Sequence, residues 1–194
     1  MSTPHPIGHN GGPTMEPGAG WRRHAWKQAR AQLLPQLPLP VIQRRLRRAN
    51  QLGLPYATYA AAHQAAGRDI VALLFSNNAL RLIRTGDRLP PTRAEKLQRL
   101  ADCGTALLAH PPQDPATLAA RIAADHQITL TPAAPAPTLR QSWGETRAAL
   151  RTLLHAAGHP PGAVMLICDT ALEAAWAPTA SLAGHLPAAR YFSA

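Results

Sequence analysis

Apolar residues recur with a helical period through the first half of the chain. Between Trp21 and Leu34, Trp26, Ala29 and Leu33 fall close to one stripe, Arg22, Arg23, Lys27 and Arg30 lie largely elsewhere, and the segment PQLPLP from Pro35 ends the helix. Val41–Leu52 repeats the pattern: Ile42, Leu46 and Ala49 at i, i+4 and i+7 make the buried side, and Arg44, Arg45, Arg47 and Arg48 spread over the remaining arc. Gly53 closes that helix, since the residue beyond a helix end often takes the left-handed backbone that glycine adopts freely. Pro55 opens the next helix, which runs to Ala66 and closes at Gly67. Thr92 and Glu95 read as a capping box for a helix to Leu108, with Leu97, Leu100 and Leu107 buried, and His110, Pro111 and Pro112 stop it.

The second half changes character. Asp114 as N-cap and Pro115 as first helical residue open a helix to Asp125; Gln127–Thr131 (QITLT) then alternates as a short strand. The Pro-rich run from Pro132 to Thr138 is expected to be a stiff connector. Ser142 and Glu145 form a capping box for a helix ending near Ala157. Ala163–Cys168 (AVMLIC) is a continuous apolar run, which predicts a strand buried on both faces. Thr170 and Glu173 make a further capping box, and Arg190–Ser193 is expected to return as a last strand.

The stretch that organises the first half is Arg68–Pro90, RDIVALLFSNNALRLIRTGDRLP. Ile70–Phe75 and Asn77–Arg84 read as two short helices joined at Ser76, with Leu80 and Ile83 on one face of the second and Asn77, Arg81 and Arg84 on another. Asparagine and arginine at that spacing suit base edges, because Arg pairs with guanine O6/N7 and Asn with adenine N6/N7 in the major groove. Residues 75–90 resemble the second half of a phage-repressor-like, XRE-type helix-turn-helix, with Gly86, Arg88 and Pro90 at the turn after the recognition helix. The resemblance implies a DNA-binding module that acts in pairs on half-sites.

Charge supports that expectation. Of the 20 Lys and Arg in 194 residues, 15 stand in residues 1–100 against 4 Asp and Glu, and residues 101–194 hold 5 against 6. The net charge of +10 therefore belongs wholly to the first half, which implies a polyanionic partner bound with salt-dependent affinity. No apolar run reaches the ~20 residues that span a bilayer, and the Gly- and Pro-rich residues 1–20 lack a signal-peptide core, so a mobile tail and a cytoplasmic protein are expected. Cys103 and Cys168 are the only cysteines and make no CxxC, which gives no disulfide framework or four-cysteine zinc site.

Other chemistry is sparser. Asp169 and Thr170 follow the buried run Ala163–Cys168, where open α/β sheets place ligands, but no second Asp stands two residues later as a haloacid-dehalogenase-type phosphatase would want. His155 and His159 are four apart with Gly158 between them and no Glu in an HExxH frame. The expected protein is mainly α. A basic, helix-turn-helix-like nucleic-acid-binding module covers residues 21–109, and a small α/β part over 110–194 dimerises it or binds an effector. It would act as a transcriptional regulator on duplex DNA, with RNA as the variant partner, without cofactor or metal. Arg44, Arg45, Arg47 and Arg48 would hold phosphates, while Asn77, Asn78, Arg81 and Arg84 would read bases and Arg88 would also bind the nucleic acid. Two other classes fit less of the pattern: an adaptor docking its basic helices on an acidic protein, and a small α/β enzyme centred on Asp169.

Overall fold

The structure, a computed structural model, describes residues 20–21, 24–25 and 37–193. The tail expected over residues 1–20, Gly20 apart, and most of the helix expected from Trp21 to Leu34 lie outside the described residues. The chain divides between Leu39 and Pro40 into two units, and the second carries a five-stranded sheet. Its elements in chain order are α1 (Leu39–Gln51), α2 (Tyr56–Ala66), β1 (Ala72–Ser76), α3 (Pro91–Gln98), β2 (Gly104–Ala109), α4 (Pro115–His126) and β3 (Ala133–Pro135), followed by α5 (Trp143–Ala156), β4 (Val164–Cys168), α6 (Ala171–Ala174), α7 (Trp176–Ala180), β5 (Gly184–Pro187) and α8 (Ala188–Phe192).

The apolar run Ile70–Phe75, expected as a helix, supplies the central strand instead. β1 pairs in parallel with β2 on one side and β4 on the other, β2 pairs with β3, and β4 with β5, giving the order β3-β2-β1-β4-β5. The protein is thus α/β throughout the second unit, not mainly α with a helix-turn-helix-like module and a small α/β part. The ladder crosses the boundary expected between residues 109 and 110, because β1 and β4 share the register Ala72 to Val164 through Phe75 to Ile167. The physical reason lies in the burial. A central parallel strand is covered on both faces, shows no polar alternation, and is indistinguishable by period from a short buried helix. Every residue of β1 and of β4 is buried.

Alternation along the strands sorts the core into two layers. Leu73, Phe75, Leu107, Met165 and Ile167 face one side, where they pack with Ala49 of α1, Leu52 just beyond it, Tyr59 of α2, Leu97 of α3, Ile122 of α4 and Tyr191 of α8. Ala72, Leu74, Leu108, Val164 and Leu166 face the other, against Leu150 and Leu154 of α5 and Trp176 of α7. Successive strands step outward from β1 to β3, then restart beside β1 at β4, so the winding reverses between β1 and β4.

Other expectations shift with this layout. The helix expected from Thr92 to Leu108 ends at Gln98, and Gly104–Ala109 is β2; the start is capped by Pro90 without a side-chain bond rather than by a Thr92–Glu95 box. Gln127–Thr131 contributes only an isolated bridge, Thr131 to Thr105, and the strand lies inside the Pro-rich run as β3. Arg190–Phe192 is helical, and the last strand is β5. Helix starts fare better. Asp114 accepts from the Thr117 amide at 2.8 Å, and the Ser142–Glu145 and Thr170–Glu173 boxes are both reciprocal.

Candidate functional site

Residues 77–81, expected within a recognition helix, form a turn at the carboxyl end of β1. Asn77 is buried, and its side chain is fully engaged: Nδ2 donates to the Leu82 carbonyl at 2.9 Å and Oδ1 accepts from the His110 amide at 2.9 Å. Those bonds close the turn and tie it to the end of β2. Asn78 is half-buried and donates through Nδ2 to Glu173 Oε1 at 2.9 Å. Arg81 sits in left-handed backbone, at φ 60°, and its guanidinium faces Asp169 at 3.6 Å.

The loop that follows holds Arg84 and Arg88 exposed while its own backbone is anchored. Asp87 Oδ2 accepts from the Ile83 and Arg84 amides at 2.8 and 2.6 Å, Arg121 of α4 donates to the Asp87 carbonyl, and Gln113 donates to the Arg84 carbonyl. Leu82 and Leu89 are buried beneath it. Arg93, on the first turn of α3, donates to the Ala79 carbonyl and lies 4.6 Å over the Phe192 ring. Burial first, and the neighbouring Arg81 charge second, hold the Arg93 pKa below the ordinary arginine value, with Asp169 acting the other way.

Glu173 is the buried hub of the same edge. Its Oε1 meets Asn78 and His110 Nε2, the latter at 3.1 Å, and its Oε2 accepts from the Asp169 and Thr170 amides at 2.8 and 3.1 Å. Burial alone would push this carboxyl up; hydrogen bonds from His110, the Asp169 amide, the Ser76 hydroxyl and the Thr170 amide outweigh it and leave the pKa below the ordinary glutamate value. Glu173 is therefore ionised at neutral pH and joins the ends of β1, β2 and β4. The His110 ring packs against Trp176, centroids 5.6 Å apart. Glu173 was legible in the sequence only as a cap for α6; its longer-range partners depend on strand order, which no local signal carries.

The four arginines of α1 lie elsewhere. Arg48 donates to the carbonyls of Ile70 and Asp102 at 3.0 and 2.8 Å, residues that precede β1 and β2, so this end of α1 is tied to the amino edge of the sheet. Arg48 is 14% exposed, Arg45 is half-buried, and Arg44 and Arg47 are exposed. Within α1 Ala49 is buried as expected, whereas Leu46, expected on the same side, is 41% exposed. The structure thus places Arg48 and the group Asn77, Asn78, Arg81, Arg84 and Arg88 at opposite ends of β1.

Burial pushes the Cys168 thiol up to about 12 and the Cys103 thiol up to about 11, which keeps both protonated at neutral pH. His155 lies in the last turn of α5 and His159 beyond Gly158, with the His159 ring over Gly104. Among the described residues no group of three or more His, Cys, Asp or Glu side chains is placed to hold a metal. A cavity of about 570 Å³ opens between α1, α3 and Phe192, lined by Asn50, Thr92, Lys96 and Arg99, and shares no residue with the Glu173 cluster. Comparison with protein families, curated proteins and solved structures gives no match to this chain.

Proposed function

We propose that the protein binds a phosphate-bearing anion at the carboxyl edge of its sheet, and that nucleic acid is the member of that class to test first. The observation that carries this reading is the anchored loop after β1, which presents Arg81, Arg84 and Arg88 to solvent beside the β1–β4 reversal. Ligands of open α/β sheets bind in the crevice outside the strand carboxyl ends at such a reversal. Arginine forks match phosphate oxygens, and the fixed loop backbone lowers the ordering cost of binding. The excess of positive charge in residues 1–100 points to the same ligand class. With Asn77 buried, the contacts belong to the backbone-positioning kind, which favours binding with little dependence on base sequence.

The test is fluorescence anisotropy of labelled duplex DNA, duplex RNA and single strands across a salt series. Binding should weaken steeply with salt, and the triple change Arg81→Ala, Arg84→Ala, Arg88→Ala should reduce the slope by roughly one unit per arginine. Absence of binding at low salt, or an unchanged slope, would overturn the proposal. One observation favours a second reading, an enzyme at the same edge: the ionised, buried Glu173 orients the His110 ring as a carboxylate does in acid–base catalysis. Turnover of a phosphate ester that His110→Ala abolishes without loss of binding would select it.

A further inference from the structure

We infer that Arg81 and Arg93 form a phosphoryl-binding subsite in which Asp169 is a resident counter-ion, displaced when a ligand's phosphate arrives. The inference rests on the anion-binding reading and adds a regulatory element to that site. Arg81, on the turn after β1, pairs with the carboxylate at the end of β4, and Arg93 of α3, bonded to the Ala79 carbonyl of the same turn, lies within electrostatic reach of both charges. The Arg81–Asp169 separation is 3.6 Å, an ion pair beyond the usual hydrogen-bond distance, and the two side chains are 55% and 25% exposed. A contact of that kind between exposed groups contributes little, so a doubly charged phosphoryl group can replace it readily.

The backbone of Arg81 and the side chain of Arg93 are held independently of Asp169. Left-handed backbone at Arg81 is fixed by the Asn78 carbonyl accepting from the Arg81 amide at 3.0 Å, and by the Asn77 side chain bonded to Leu82. Arg93 is fixed by Ala79 and by the Phe192 ring. Removal of the Asp169 charge therefore leaves Arg93 positioned and Arg81 tethered at its backbone beside it, without the carboxylate that Arg81 faces. The Asp169 amide stays in place because it donates to Glu173.

Isothermal titration of the full chain with inorganic pyrophosphate, and anisotropy with a short oligonucleotide, test this. Asp169→Asn should tighten pyrophosphate binding about threefold to fivefold, the equivalent of the upper part of an exposed pair's range. Arg81→Ala should weaken binding and abolish the gain when combined with Asp169→Asn. Asp125→Asn, at the far end of α4, makes the same change in net charge and should leave binding within error. Equal tightening by Asp125→Asn, or none by Asp169→Asn, would overturn the subsite even while the arginine triple variant still weakens binding. Failure of the wild type to bind either probe would remove the anion-binding reading as well. Tightening on pyrophosphate alone assigns the subsite to a free phosphate ligand, and tightening on both assigns it to a polymer backbone.

Discussion

Asp169 and Glu173 are four residues apart at the same strand end, carry the same charge, and do opposite things. Glu173 is fully buried and saturated by donors from β1, β2 and β4, so it is part of the framework. Asp169 is partly open and faces one arginine across 3.6 Å. A carboxylate with every lone pair engaged by fixed groups has no capacity left for a ligand; one held by a single loose pair can exchange its partner. Function at this edge is therefore to be sought around Asp169, and stability around Glu173.

The comparison can be broken by substitution. Glu173→Ala should have the largest effect, a loss of about 3–5 kcal/mol, because it removes a buried charge and leaves the half-buried Asn78 amide, His110 and two backbone amides unpaired. Urea unfolding measures it, and a loss below ~1 kcal/mol would show that the hub is dispensable. Leu74→Ala, in the centre of β1, should cost about 2–5 kcal/mol through the cavity it leaves, which sets the scale for a purely apolar loss on the same strand.

Acid should act on Glu173 in the same direction as its removal. Its pKa is lowered in the folded protein, so its stabilisation is complete above the unfolded-state value of about 4.3 and is lost as pH falls through the lower folded value. The wild type should lose more stability than Glu173→Gln on acidification from pH 5; parallel curves would contradict this. The smallest effect belongs to Asp169→Asn, whose stability should stay within ~1 kcal/mol of the wild type while its anion affinity rises. A large destabilisation would place Asp169 in the framework with Glu173.

What the sequence revealed of this fold follows physical locality. Caps were legible at Asp114, Ser142 and Thr170, since a cap and its amide lie three residues apart. β4 was legible because its apolar run has turn residues at both ends. β1 was not: Ile70–Phe75 is the same kind of run, but Asn77–Arg84 behind it keeps a helical spacing that is realised as a turn and an anchored loop. β3 was hidden by prolines that suit a short edge strand. Arg81 and Arg84, expected to read bases, and Arg88, expected to bind the nucleic acid, stand exposed on a turn and loop rather than on a helix, whereas the burial of Asn77 depends on Leu82 and on His110, 33 residues away.

The central claim is that anions bind at the carboxyl edge of the sheet. Hydrogen–deuterium exchange of the full chain with and without saturating pyrophosphate or oligonucleotide tests it most directly. Added protection is expected, confined to residues 77–93 and 169–173. Protection along α1 around Arg44–Arg48, with the carboxyl edge unchanged, would contradict it.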